Sequence, residues 1–255
     1  MRIVLKIGGN EIDDLNFLDK VSKLASQIRS SHHKLVLVHG GGKEITDLLT
    51  KLSIETRFVG GLRYTDSRSL DAVEMILSGL INKRLVKALQ RNGVNALGLS
   101  GIDGKILTAN KASRDGEDIG LVGEVGVVNT SLLEELIEKF AVVLSPISAD
   151  KDSSTSLNVN ADYAAAAIAS SLRSELVIFL SNVPGVLKDG TVIRELGEEE
   201  FLNLKGSRII AGGMIPKIEA ALSALKGGAR RAFITDSEGA SKLVSGQIAG
   251  TQVMV

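Results

Sequence analysis

Apolar and polar positions along this chain follow two alternating periods. Short runs that are almost wholly apolar occur at 2–7, 34–38, 95–99, 141–144, 175–180 and 231–235, each of strand length. Between them the apolar residues recur at helical spacing: Leu18, Val21, Leu24, Ala25 and Ile28 form one face over 15–28. Similar faces follow the triple glycine as far as Leu52, and recur over 130–140, 161–172, 198–204 and 214–225. Apolar strands alternating with amphipathic helices predict an α/β protein whose mainly parallel sheet is covered on both faces. The β-like residues 250–255 are expected to close that sheet.

Three stretches depart from this alternation. Residues 56–64 are irregular around Gly60-Gly61 and read as a hairpin or flap outside the sheet. Residues 105–128 read as short antiparallel strands with turns at Asp115-Gly116 and Gly126, a lid rather than core. A second small hairpin is expected around Asp189-Gly190. The longest helical pattern, 67–90, is apolar on two faces and needs two partners; either both belong to the core, or one is the same helix in a second subunit of a homodimer. The polar loop 151–156 divides the chain into an N-terminal lobe, 1–156, and a C-terminal lobe, 157–255. No repeat recurs at a fixed period.

Composition narrows the function classes. Thirty basic and thirty acidic residues cancel over 255 positions, so no global field gathers nucleic acid or an anionic membrane. Aromatics are 3% of the chain, too few for base-stacking platforms. The absence of cysteine excludes disulfides, thiolate catalysis and zinc–sulfur sites. Neither a signal peptide nor a membrane-spanning stretch is visible, so a cytoplasmic protein is expected.

Candidate chemistry gathers where strands break into glycines. His39-Gly40-Gly41-Gly42-Lys43 turns a strand into a helix, either to pack that helix or to bring backbone N–H groups to a phosphate or carboxylate. Glu44 stands where a P-loop requires Ser or Thr, and Ile45 where a dinucleotide loop requires glycine. Lys6 ends the first strand beside Gly8-Gly9, at the strand end where open parallel sheets bind ligands. Asn158-Val-Asn-Ala-Asp162 enters a helix: Asn160 and Asp162 suit its cap and first turn, whereas Asn158 lies upstream and is free for a ligand. Gly212-Gly213 opens another helix, with Pro216 in its first turn and Lys217 opposing the helix dipole unless an anion lies outside. Arg63 suits a two-pronged carboxylate contact or a surface salt bridge. Two lysines and an aspartate suit phosphoryl transfer, which needs fixed positive charge more than a base. His32, His33 and His39 are too dispersed for a metal site, and none is proposed; His39 is expected to shape the glycine turn.

Lys6-Ile-Gly-Gly9, Val38-His-Gly-Gly-Gly42, Gly61-Leu-Arg-Tyr-Thr-Asp66, Asn158-Val-Asn-Ala-Asp162 and Gly212-Gly-Met-Ile-Pro-Lys217 occur in the order and approximate spacing of the amino acid kinase family. The chain resembles most its N-acetylglutamate-phosphorylating branch. The resemblance implies a three-layer α/β/α sandwich, N-acetylglutamate in the N-terminal lobe and ATP with Mg2+ in the C-terminal lobe, in the service of arginine biosynthesis. It implies that Lys6 and Lys217 stabilise the phosphoryl group, that Asp162 orients them, and that Gly8, Gly41 and Gly42 supply N–H groups. Arg63 and Asn158 would hold the acyl amino acid, and Gly9, Asn182, Gly212 and Gly213 would line the ATP side. Asn182 in Leu180-Ser-Asn-Val-Pro-Gly185 resembles instead the branch acting on carrier-bound aminoadipate or glutamate, while Met214-Ile-Pro-Lys217 resembles the first. A kinase fold kept as an inactive small-molecule sensor is the other alternative. Arginine-inhibited hexamers of the family look to be built with a helix ahead of the first strand, so a dimer without arginine feedback is expected here.

Overall fold

The computed structural model describes residues 1–9, 12–114 and 116–255. The chain runs through β1 (Arg2–Ile7), α1 (Leu15–Ser30), β2 (Lys34–His39), α2 (Gly42–Lys51), the hairpin β3 (Phe58–Val59) and β4 (Leu62–Arg63), and α3 (Ser67–Glu74). After a π-helical stretch, Met75–Ile81, come α4 (Asn82–Arg91), β5 (Ala96–Ser100), β6 (Leu107–Arg114), β7 (Glu117–Val128), α5 (Thr130–Lys139), β8 (Ala141–Ser145), β9 (Ile147–Asp150) and β10 (Ser156–Val159). The remainder is α6 (Ala161–Ser171), β11 (Leu176–Leu180), β12 (Leu187–Lys188), β13 (Thr191–Val192), β14 (Glu195–Gly197), α7 (Glu198–Gly206), α8 (Met214–Lys226), β15 (Ala232–Thr235), α9 (Ser237–Val244) and β16 (Thr251–Met254).

Among the described residues, eight strands pair in the order β14-β16-β15-β11-β1-β2-β8-β5, parallel except for β15 against β16. Side chains alternate across the sheet. Ile3, Leu5, Ile7, Leu35 and Leu37 face one core with α1, α2, α4 and α9, whereas Val4, Val36, Val38, Val142 and Phe179 face another with α5, α6, α7 and α8. This is the expected three-layer α/β/α sandwich. β1 pairs with β2 on one side and with β11 on the other, so strands from before residue 157 fill one half of the sheet and later strands the other. The chain order reverses between β1 and β11, the crevice where open sheets bind ligands. The lobe boundary expected at 156/157 falls inside β10, which pairs with β7 and β9.

Four sequence expectations need correction. Gly126 is no turn: Thr108 pairs with Val127 and Ala109 with Val125, so Gly126 is the extra residue of a bulge within β7. The segment 105–128 is not simply a lid, because β6 and β7 close a small barrel with β9 and β10 and bury Leu107 and Ala109 in the main core. Of the Asp115-Gly116 turn, Asp115 lies outside the described residues, and Gly116 has φ +79°. The segment 67–91 is not plain α-helix; its π-helical middle turns Leu77, Ile81 and Asn82 inward together. Strands β9 and β14 and helix α9 were not expected, since each is only three to eight residues long and too short for a period to register. No described helix is long and apolar enough to cross a membrane.

Candidate active site

Three elements bring charge to the C-terminal end of β1. Lys6 points to the face that Val4 shares with α6 and α8, and it is only 4% exposed. Asn160 caps α6 by accepting from the N–H of Asp162 at 2.8 Å, as its position in the sequence suggested. That cap turns the Asp162 carboxylate onto the lysines: Lys6 Nζ lies 2.8 Å from Oδ1, and Lys217 Nζ, from the first turn of α8, 3.8 Å from Oδ2. Burial, and then the neighbouring Lys6 ammonium, pull the Lys217 pKa down to about 8, against the opposing pull of Asp162. The triad carries a net charge of about +1 in a mostly dry site when both lysines are protonated. Such a site favours an added anion.

Two cavities meet at this triad. One, of about 390 Å³, is lined by Lys6, Gly8 and Gly9 after β1, by Ser181 and Asn182 after β11, and by Gly213, Met214 and Lys217 at the start of α8. The other, of about 240 Å³, is lined by Lys6, Gly9, Gly41, Gly42, Arg63, Asn158 and Asp162 among others. Lys6 and Gly9 line both. The first is the crevice at the chain reversal; the second lies over the start of α2, which no side chain caps. Its first N–H groups are therefore left without a side-chain acceptor, although Glu44 in the first turn offsets part of the dipole.

The glycines act through close approach. A Cβ on Gly9 would lie 2.3 Å from the Gly41 nitrogen, and one on Gly41 2.3 Å from Ile81 Cδ1, so the two glycine turns touch and the second is seated on the π-helical stretch. Gly8 and Gly42 have open space around them. Gly212 adopts φ +57° in the turn before α8 and lines neither cavity.

Arg63 is held by neutral acceptors and an aromatic face. Nη2 donates to the Gly42 carbonyl at 3.1 Å and to Thr46 Oγ1 at 2.8 Å, while the guanidinium lies 4.8 Å from the Phe58 ring centroid. No carboxylate pairs with it among the described residues. Burial holds its pKa below the ordinary arginine value. Asn158 donates through Nδ2 to Thr65 Oγ1 at 3.1 Å, and Thr65 Oγ1 donates in turn to the Arg63 carbonyl at 2.9 Å. The backbone of Thr65 is bonded to Ile119 and Leu121 of β7, across Gly120. The barrel hairpin thus steadies both Arg63 and Asn158.

Sequence reasoning missed the apolar wall of the smaller cavity, formed by Phe58, Leu62, Leu77, Val122 and Pro146, and Phe17, Ser181 and Met214 in the larger one. Phe58 carried a usable signal: it is an aromatic residue in a flap, in a chain with few aromatics, and it is 57% exposed. The others are ordinary core residues by pattern.

The sequence profile described as the amino acid kinase family matches residues 1–236. A Methanopyrus kandleri protein named acetylglutamate kinase is 46% identical over 92% of this chain and 95% of its own length. A Roseiflexus castenholzii protein of the same name is 44% identical over 93% of this chain and 90% of its own. The crystal structure of smu.665 from Streptococcus mutans superposes with a TM-score of 0.83 at 29% identity, covering 99% of this chain and 98% of that one. With the profile spanning nearly the whole sheet and relatives this similar end to end, the chain belongs to the amino acid kinase family.

Proposed function

We propose that this protein transfers the γ-phosphate of ATP to the side-chain carboxylate of N-acetyl-L-glutamate, the acyl-phosphate-forming step that the names of its relatives indicate. The observation that carries the reading is the meeting of two cavities at Lys6, with Lys6, Asp162 and Lys217 at the junction. In this reading ATP lies in the larger cavity, along Gly8, Gly9, Asn182 and Gly213, with Gly212 shaping the turn behind Gly213. The acyl amino acid lies in the smaller one, its α-carboxylate toward Arg63, its acyl-amino portion toward Asn158 and the apolar wall, and its reacting carboxylate toward the triad. The N-terminal half of the sheet then carries the acceptor and the C-terminal half the nucleotide.

Two negatively charged reactants must approach each other. Lys6 and Lys217 offset that repulsion and the charge on the equatorial oxygens during transfer, while Asp162 keeps both ammonium groups aimed without accepting a proton. The backbone N–H groups of Gly41 and Gly42 meet the acceptor at the start of α2. Among the described residues no three carboxylate or imidazole groups gather to hold a cation, and Asp162 is committed to the lysines. The described residues offer Mg2+ no ligand cluster, so the ion would depend on the ATP phosphates.

The protein is further expected to form a homodimer across the segment 67–91, where Met75 is 58% and Leu80 49% exposed; a monomer in sedimentation at micromolar concentration would contradict this. Asn182 is the feature that resembles the carrier-bound branch, and neither the site geometry nor the relatives reported above favour that reading or the sensor. Trapping of acyl phosphate with hydroxylamine, using MgATP with N-acetylglutamate, free glutamate or aspartate in parallel, tests the proposal. Product from N-acetylglutamate alone supports it, and no product from that substrate overturns it.

A further inference from the structure

β2 is apolar from Leu35 to Val38 and then ends on His39, whose side chain is wholly buried. A leucine would fill such a place more cheaply, since burial pushes the imidazole pKa down to about 4. Both ring nitrogens have partners. Nδ1 lies 3.2 Å from the Gly40 carbonyl oxygen, which can only accept, so Nδ1 carries the proton. Nε2 lies 3.3 Å from Nδ2 of Asn82, which can only donate, so Nε2 is the bare nitrogen. The Asn82 amide is itself fixed, because Nδ2 also donates to the carbonyls of Leu99 at 3.1 Å and Val143 at 3.0 Å while Oδ1 accepts from Lys83 Nζ at 3.0 Å. Reversing the amide would set its oxygen against two carbonyls. Nδ2 has two hydrogens for three acceptors, so the longest contact, to Nε2, is a shared one, and the Gly40 carbonyl at Nδ1 selects the neutral Nδ1–H tautomer.

We infer that His39 is a positioning residue for the acceptor cavity: as the Nδ1–H imidazole, anchored by Asn82, it holds the Gly40 carbonyl and so aims the N–H groups of Gly41 and Gly42. The inference rests on reading that cavity as the acyl amino acid's. His39 lines neither cavity, so its effect passes through the turn. The lever is short. The Gly40 N–H is tied to the Ile7 carbonyl at 3.2 Å, and Gly41 is wedged between Gly9 and Ile81. With no Cβ on three successive residues, side-chain sterics do not orient the peptide between Gly40 and Gly41, and the bond from Nδ1 fixes the direction of its carbonyl. Asn82 reaches the ring from where the π-helical stretch passes into α4, and Leu77 and Ile81 of that stretch meet Gly41, so one helical irregularity supports the turn twice.

The test compares His39→Phe, which keeps bulk and removes the donor, with His39→Asn, whose amide nitrogen can stand where Nδ1 stood. The Phe variant is expected to raise the KM for N-acetylglutamate about ten- to hundredfold, with the KM for ATP within about twofold of wild type, and the Asn variant to recover most of the loss. Equal loss toward both substrates, or Phe and Asn variants that behave alike, would overturn the inference. A long-range proton–nitrogen NMR spectrum of the wild-type imidazole gives a readout that needs neither substrate nor variant: Nδ1–H is expected, and Nε2–H would refute it. Wild-type turnover measured in parallel separates the two questions. A wild type inert toward N-acetylglutamate sinks the reading of the cavity, while displaced Gly41 and Gly42 amide resonances in the Phe variant but not the Asn variant would still support the role of His39.

Discussion

Replacing Asp162 by asparagine removes one charge and almost no volume from the centre of the site. What remains is two ammonium groups that both leaned on the same carboxylate, Lys6 at 2.8 Å and Lys217 at 3.8 Å, with Asp162 itself only 5% exposed. Two unit charges roughly 5 Å apart at an effective dielectric of about 20 repel by about 3 kcal/mol. Breaking a buried ion pair from one side costs about 3–5 kcal/mol for the same reason. In a chain of this length that corresponds to a Tm lower by roughly 10 °C near neutral pH.

The sign of the pH dependence follows from Lys217. Its folded-state pKa, about 8, already lies below the unfolded value, so the unfolded chain binds more protons above that pH and stability rises as pH increases. Asp162 raises that pKa against burial and Lys6; without it the folded-state pKa falls further, and the variant begins to recover stability at lower pH than wild type. The gap in Tm between the two proteins is therefore widest on the acid side of about pH 8 and narrows as pH rises toward it. Scanning calorimetry or dye-monitored melting of both proteins in a buffer series reads this directly. An Asp162→Asn protein that melts with wild type throughout, or a gap that widens with pH, would refute the charge-holding role of Asp162.

Lys217→Met removes the repulsion instead of the carboxylate, so its Tm is expected at or above that of wild type while kcat falls by orders of magnitude; loss of both together would show that Lys217 has a structural role. Rising pH should lower kcat/KM for ATP with an apparent pKa near 8 as free-enzyme Lys217 loses its proton, and a flat profile in that region would contradict the assignment. Arg63→Ala is expected to raise the KM for the acyl amino acid about tenfold or more with a smaller change in kcat, measured by steady-state kinetics. Gly9→Ala forces a Cβ to within 2.3 Å of the Gly41 backbone nitrogen and should cost about 1–3 kcal/mol of stability together with most of the activity; a variant of normal Tm and turnover would mean that the two turns can part freely.

The sheet was legible because its inner strands are buried on both faces, and nearly continuous apolar runs of four to six residues between amphipathic helices have few other readings. The two lysines were legible as anomalies, one ending an apolar strand and one set against a helix dipole, whereas Asp162 suits a first turn by local rules and drew attention through its company in the motif. The fold resolves both anomalies by setting the lysines on either side of that carboxylate. The small barrel was less legible. Its strands carry glycines at 120, 123 and 126, of which Gly120 must approach Thr65 to within a distance no side chain permits, so the sequence there looks like turn while the backbone runs extended.

The π-helical stretch shows where pattern reading fails for a physical reason. Residues 75–81 contain apolar residues at positions compatible with an ordinary α-helix, and nothing local forbids one. What requires the wider turn is remote in sequence: Gly41 needs room against Leu77 and Ile81, Ser78 bonds Ser145 at 2.8 Å, and Asn82 must reach the strand ends at Val143 and Leu99. Gly41 and Leu77 line the smaller cavity, and the other contacts tie the helix to β5 and β8 beside it. A helix wound at 3.6 residues per turn spreads positions 77, 78, 81 and 82 over a fixed arc, and one wider turn changes which of them face inward together. The departure from regular geometry therefore follows from the turn it supports, and the sequence that specifies it is divided between this segment and the glycines at 40–42.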